Sequence, residues 1–224
     1  MDATDAVRTF YDRWARLYDV LATAPGVAAW RRATVDALAL ETGDTVLEMG
    51  CGTGANLPHL RERVGPTGTV LGVDLSAGVL DRARGRIDRA GWANVHVCRA
   101  DATAPPIAAP VDAVLATFVV GLLDDPAEAV RGWCDLVGDG GCVALLNFQR
   151  RDGALAGPLN RAFDAAVWLA APGWRGTPRA AGDGLARRVD AARDALVEQT
   201  VDRRDRTFAG GFLGLVSGRV APTA

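Results

Sequence analysis

The chain has 224 residues, 49% of them hydrophobic, which is enough for one domain with a substantial core. Its formal charge of -2 gives no general attraction for nucleic acid, and every one of its 25 basic residues is Arg. Without lysine the chain can form no Schiff base, build no G-K-[ST] phosphate loop and supply no Tyr-x-x-x-Lys reductase pair.

Four cysteines, Cys51, Cys98, Cys134 and Cys142, show no C-x-x-C spacing, which predicts reduced, buried thiols in a cytosolic protein. The acidic, polar start MDATDAVRTF has neither the basic nor the apolar region of a signal peptide, and no apolar run reaches membrane-spanning length. A cytoplasmic chain is therefore expected. The two histidines, His59 in a predicted helix and His96 in a predicted strand, read as structural, and a His-ligated metal site is not expected.

Residues 1–42 are predicted to form an N-terminal helical cap, two helices divided at Ala24-Pro25-Gly26. Val7, Phe10, Trp14, Leu17, Tyr18 and Leu21 recur at helical spacing in the first; Val27, Trp30, Val35 and Leu38 carry the second towards Thr42-Gly43. Strands and helices then alternate through residues 43–147, with strands expected at 45–49, 69–73, 94–98, 111–117 and 141–148. The helix at 76–90 carries Ser76 as an N-cap and Val79, Leu80, Ala83, Ile87 and Ala90 on one stripe; another opens at Pro126. Apolar strands alternating with helices argue an α/β fold, a parallel sheet covered on both faces.

Residues 148–193 are expected to be a helical insertion. Leu155, Leu159, Phe163, Val167 and Trp168, flanked by Arg150, Arg151, Arg161 and Arg175, predict an amphipathic lid that either closes the pocket or touches a membrane surface. Residues 194–224, from ALVEQTVDRRDRTF to GFLGLVSGRVA, are expected to supply a closing antiparallel strand pair. The whole chain reads as one domain.

The stretch VLEMGCGTGANL sets glycines at 50, 52 and 54 after the first strand, and Gly50, Gly52 and Ala55 also satisfy the dinucleotide fingerprint G-x-G-x-x-G/A. Asp74, ending the second strand, can accept from both hydroxyls of an adenosine ribose, which NAD and S-adenosylmethionine share. Glu48 separates them: a carboxylate two residues before the first glycine repels a pyrophosphate and favours a ligand carrying ammonium and sulfonium charge. Asp101, after the third strand, can accept from an adenine amino group. Cys51 reads as a small filler. The loop TFVVGLL after the fourth strand has no polar side chain between Thr117 and Asp124, so it would shape an apolar pocket.

VLEMGCGTG, VLGVDLS and CRADA, in that order, resemble the class I S-adenosylmethionine-dependent methyltransferase pattern over roughly residues 44–147. The resemblance implies a Rossmann-like, mostly parallel sheet of seven strands in the order 3-2-1-4-5-7-6 with the last strand antiparallel, and S-adenosyl-L-methionine as cofactor. It implies that Gly50, Cys51, Gly52 and Gly54 line the methionine part, Asp74 and Leu75 meet the ribose, and Asp101 with Ala102 meets the adenine, with Glu48 and Thr117 completing the set. YDRWARLYD and the later WRR resemble the ubiquinone/menaquinone-biosynthesis and phosphatidylethanolamine methyltransferase groups, whose acceptors are lipids. That implies Tyr18 over the cofactor, Tyr11, Phe118 and Leu122 beside the acceptor, and Arg31 or Arg32 near the methionine carboxylate. GDGG at 138–141 departs from the pattern, which has a proline before the glycine pair.

Methyl transfer on a small-molecule or lipid-like acceptor is thus the expected function. An NAD-dependent oxidoreductase and a non-catalytic cofactor-binding protein are the alternatives. The Pro-Cys dipeptide of cytosine C5 methylation and the Asn/Asp-Pro-Pro-Tyr/Phe signature of amide or adenine nitrogen methylation are absent, and no nucleic-acid partner is expected.

Overall fold

A computed structural model describes residues 25–108, 110–151, 156–170 and 176–221. The first predicted helix, with Tyr11 and Tyr18, and also Leu155 and Arg175, lie outside the described residues. In chain order the elements are α1 (Pro25–Asp36), β1 (Thr45–Met49), α2 (Leu57–Val64), β2 (Thr69–Asp74), α3 (Ala77–Ala90), β3 (Val95–Arg99) and β4 (Val111–Thr117). A short 3-10 turn at Val120–Leu122 leads to α4 (Pro126–Leu136), β5 (Val137–Phe148), α5 (Ala156–Ala170), α6 (Pro178–Gln199), β6 (Thr200–Phe208) and β7 (Leu213–Val220).

The strands form one sheet in the order β3-β2-β1-β4-β5-β7-β6. β1 to β5 pair in parallel, and β7 runs antiparallel to both β5 and β6. This is the expected topology. Strand alternation divides the core between the two faces. Val46, Leu115, Ala144 and Leu146 join Val35, Leu57, Leu60 and Ala83 beneath α1, α2 and α3. Leu47, Val114, Val143 and Leu145 join Val130, Trp133, Ala192 and Leu196 beneath α4 and α6.

Local signals set the helix ends. Ser76 Oγ accepts from the Val79 N–H, Asp125 caps α4 through the Glu128 N–H with Pro126 behind it, and Gly91 closes α3 in the left-handed region at φ 65°.

Several elements differ from the sequence expectation. Residues 195–199, read as strand, are the last turn of α6, because Ala195 and Leu196 continue its buried stripe. α1 ends at Asp36, short of Thr42, and a turn follows in which Ala39 takes φ 52°. β5 begins at Val137 rather than 141, since the glycine-rich GDGG forms an irregularity in the pairing with β4 that lets Val137 pair with Val111. Cys98 is exposed, not buried: β3 is the edge strand, and its outer positions meet solvent. Cys51, Cys134 and Cys142 are buried as expected.

Candidate active site

The carboxyl ends of β1, β2 and β4 meet the N-terminus of α2, the place where open α/β sheets bind ligands. The glycine loop after β1 turns through three left-handed residues, Gly50 at φ 64°, Gly52 at 55° and Gly54 at 76°, so a side chain at any of the three would be strained. At Gly50 a Cβ would also lie 2.8 Å from Val119 Cγ2, so the backbone is bare towards the loop after β4. Cys51 fills the space left by Gly72, where a Cβ would come within 2.9 Å of its Sγ. Burial, Glu48 and Asp74 raise the Cys51 thiol well above its ordinary range, so it is a neutral filler and not a nucleophile.

Asp74 binds the loop directly. Its Oδ2 accepts from the Gly52 N–H at 2.9 Å and its Oδ1 from the Ser76 N–H at 2.9 Å. A Gly52 amide committed to a carboxylate is withdrawn from phosphate binding, which argues against a dinucleotide.

Glu48 lies 1% exposed at the end of β1. Its Oε1 accepts from Asn56 Nδ2 at 2.6 Å, and its buried Oε2 has no hydrogen-bond partner among the described residues. Asn56 Nδ2 also reaches Thr117 Oγ1 at 3.0 Å, and Asn56 Oδ1 accepts from a terminal guanidinium nitrogen of Arg31 at 3.0 Å. Arg31 is 4% exposed, and Arg32 is exposed. Burial pushes the Glu48 carboxyl up to about 8; the Asn56 hydrogen bond and the Arg31 charge pull it down, and Asp74 pushes it up. The group is thus poised to ionise when a cation arrives. A lone buried oxygen on a near-neutral carboxyl is the donor set for a cationic ligand, so these residues fit S-adenosylmethionine.

Asp101 is exposed and accepts from the Thr103 N–H and hydroxyl, both on Oδ1. Ala102 beside it is buried, and its carbonyl accepts from Trp133 Nε1 at 2.7 Å, which anchors the loop to α4. Leu75 is 38% exposed between the β2 and β3 ends.

On the other side of Thr117, Phe118 takes φ 62°, an uncommon conformation for an aromatic residue, and Leu122 is 47% exposed. The Phe118 ring packs 4.6 Å from Phe148 at the end of β5, and Phe148 is itself 47% exposed. Sequence reasoning missed Phe148 and Asn56. Phe148 was visible only as the last residue of a strand, and Asn56 as a loop residue at an N-cap position. The predicted apolar face of α5 is split: Phe163 and Val167 turn inwards, whereas Leu159 and Trp168 face outwards.

The fold and the site define a Rossmann-like domain built for a nucleoside cofactor that carries positive charge and no phosphate. A family model described as a methyltransferase domain matches residues 46–141. The chain is 34% identical over 158 residues to a phosphatidylethanolamine N-methyltransferase of Cereibacter sphaeroides, covering 69% of this chain and 72% of that one. It is 33% identical over 136 residues to aklanonic acid methyltransferase of Streptomyces sp. strain C5, covering 60% of this chain and 61% of that one. A solved phosphoethanolamine N-methyltransferase 2 of Haemonchus contortus shares the fold at TM-score 0.71 and 15% identity, covering all of this chain and 60% of that one. The chain therefore belongs to the class I S-adenosylmethionine-dependent methyltransferases, and its cofactor is S-adenosyl-L-methionine. It spans 61% of the aklanonic acid methyltransferase and 54% to 64% of several quinone-biosynthesis methyltransferases that it resembles.

Proposed function

We propose that this chain transfers a methyl group from S-adenosylmethionine to an apolar small-molecule or lipid-like acceptor. The observation that carries this reading is the pair Phe118 and Phe148, an aromatic wall with one half-exposed ring, set one residue past Thr117 in the Glu48 network. The two relatives, a phosphatidylethanolamine N-methyltransferase and an aklanonic acid methyltransferase, support the same acceptor class.

In this reading Glu48 Oε2 meets the cationic methionine part, and Gly50, Cys51, Gly52 and Gly54 let the backbone approach it. Asp74 and Leu75 hold the ribose, while Asp101 and Ala102 hold the adenine. Phe118 and Leu122 face the acceptor together with Phe148; the family resemblance adds Tyr11 beside the acceptor and Tyr18 at the cofactor, both outside the described residues. The cofactor supplies an activated methyl carbon; the chain's own task is to hold the acceptor in line with it and to exclude water. Apolar walls suit that task, since they orient without competing for the proton or the methyl group.

A radiolabelled methyl-transfer screen against quinols, phospholipids and small phenols or amines tests the reading, alongside calorimetry with S-adenosylmethionine and NAD. Transfer to any of these acceptors supports it. Cofactor binding with no transfer to any acceptor favours a non-catalytic cofactor-binding protein.

A lipid-borne acceptor is favoured by one further observation. α5 presents Leu159, Ala162, Ala166 and Leu169 on a single exposed apolar stripe, with Leu169 75% exposed. No helix among the described residues is long and apolar enough to cross a membrane, so contact of this kind would be peripheral. Flotation with phosphatidylglycerol-containing vesicles, lost in Leu169→Asp, tests it.

A further inference from the structure

Phe118 and Phe148 are only the near end of a longer row. Phe148 lies 6.4 Å from Phe163 of α5, and Phe163 lies 5.5 Å from Phe212, its ring nearly parallel at 27°. The row follows the carboxyl edge of the sheet, because antiparallel β7 returns the chain there: Phe148 pairs with Leu213, and the Gln149 N–H donates to the Phe212 carbonyl at 2.9 Å.

Arg151 stands at the far end, with its guanidinium carbon 6.0 Å from the Phe212 ring centre. Its position is built. Asn160 of α5 clamps the Arg151 backbone from both sides, accepting from its N–H at 3.1 Å and donating to its carbonyl at 3.0 Å. A Cβ on Gly211 would lie 3.2 Å from the Arg151 Cβ, so glycine there leaves room for the stem. Neighbouring Arg150 is consumed by Asp164 and Asp183, at 2.8 and 2.5 Å. The Arg151 guanidinium has no ion-pair or hydrogen-bond partner among the described residues, and its Nε is buried. A buried charged donor without an acceptor is costly to retain, and a bound oxyanion would relieve that cost.

We propose that Phe163, Phe212 and Arg151 form a distal acceptor subsite for an oxyanion, so that the preferred acceptor has an elongated aromatic or apolar body with a carboxylate or phosphate remote from the atom that is methylated. This rests on the acceptor wall assigned to Phe118 and Phe148. A planar body lies against the rings in offset or tilted stacking, and the guanidinium closes on the anionic end in a two-point contact.

The test uses the full chain saturated with S-adenosylhomocysteine and follows the fluorescence of three probes: anthracene-2-carboxylate, 2-anthrylmethyl phosphate and the neutral 2-anthracenemethanol. At least one anion is expected to bind about tenfold or more tightly than the alcohol, as a charge-assisted contact requires. Arg151→Gln is expected to abolish that difference and leave the alcohol unchanged, and Arg151→Lys to restore part of it. Phe163→Ala is expected to weaken all three probes. Whichever anion wins identifies the headgroup. Equal binding of anions and alcohol, or a preference that survives Arg151→Gln, overturns the subsite. Calorimetry of each variant with S-adenosylmethionine separates the two failures. Intact cofactor binding with no anion preference defeats only the subsite, whereas absent cofactor binding in the unaltered chain defeats the functional reading beneath it.

Discussion

Asn56 turns the two ends of one amide towards Glu48 and Arg31: its nitrogen donates to Glu48 Oε1 at 2.6 Å, and its oxygen accepts from Arg31 at 3.0 Å. The bonds fix which end of the amide faces which partner. Asn56 stands at the N-cap of α2, yet its side chain caps nothing there, so the helix forgoes a contact of about 1 kcal/mol to serve the buried network. Asn56→Ala would leave Glu48 Oε1 and the Arg31 donor without this partner. A loss of about 2 kcal/mol in stability is expected, together with at least tenfold weaker S-adenosylmethionine binding. Thermal denaturation and calorimetry measure the two effects, and a variant with unchanged affinity would show that the network does not serve the cofactor.

Glu48 predicts two pH effects of opposite sense. Its carboxyl is raised from 4.5 to about 8 in the free chain, so the folded state holds a proton there that the unfolded state releases. The resulting stability is fully present below pH ~4.5 and is lost as pH rises through ~8. Glu48→Gln should flatten the fall in melting temperature across that window.

Cofactor binding should run the other way. A cation beside Oε2 favours the carboxylate, so binding near pH 7 should release close to one proton, and affinity should rise towards pH 8. Calorimetry in two buffers of different ionisation heat counts the proton. Glu48→Gln should release none and should bind about 10- to 100-fold more weakly.

Gly50→Ala should damage the loop in two separable ways. It forces φ 64° on a residue with a side chain and brings the new methyl group against Val119. A destabilisation of about 2–5 kcal/mol is expected, because a left-handed conformation costs about 1–2 kcal/mol and overpacking about 1–3 kcal/mol. Val119→Ala combined with it should recover the packing share but not the backbone share, which a double-mutant cycle in urea resolves.

Trp133→Phe tests the anchor of the Ala102 loop, which the proposed function sets against the adenine. The indole is 1% exposed and donates to the Ala102 carbonyl at 2.7 Å. Losing that donor in the core should cost about 1–3 kcal/mol of stability. Weaker binding of adenosine, with little change for methionine, would place the effect at Ala102.

The glycine loop and the strand-end acids were legible because their signals are local. Three alternating glycines demand left-handed backbone, and Glu48 and Asp74 fall at strand ends that periodicity alone locates. Asn56 escaped because its residue type and position suit a helix cap, and only the approach of Arg31 from α1 shows that the side chain is used elsewhere. The aromatic row escaped for a related reason. Phe118, Phe148, Phe163 and Phe212 come from four separate segments, and their neighbourhood depends on where β7 returns. ALVEQ was misread as strand because a short apolar run has no period of its own, and the 22-residue length of α6 decided it. Cys98 was misplaced because edge position is a property of the sheet, not of the strand.

The reversed direction of β7 has a consequence for how such a chain can diversify. Glu48, Asp74, Asp101 and Thr117 all precede Phe118, whereas Phe148, Arg151, Phe163 and Phe212 all follow it, and β7 turns that later stretch back to the same rim of the sheet. On the proposed function the two halves share the reaction centre but almost no sequence. On the proposed function, substitutions in the later half retune which acceptor is taken while the earlier half keeps its grip on one cofactor, so selectivity drifts without the methyl donor being lost.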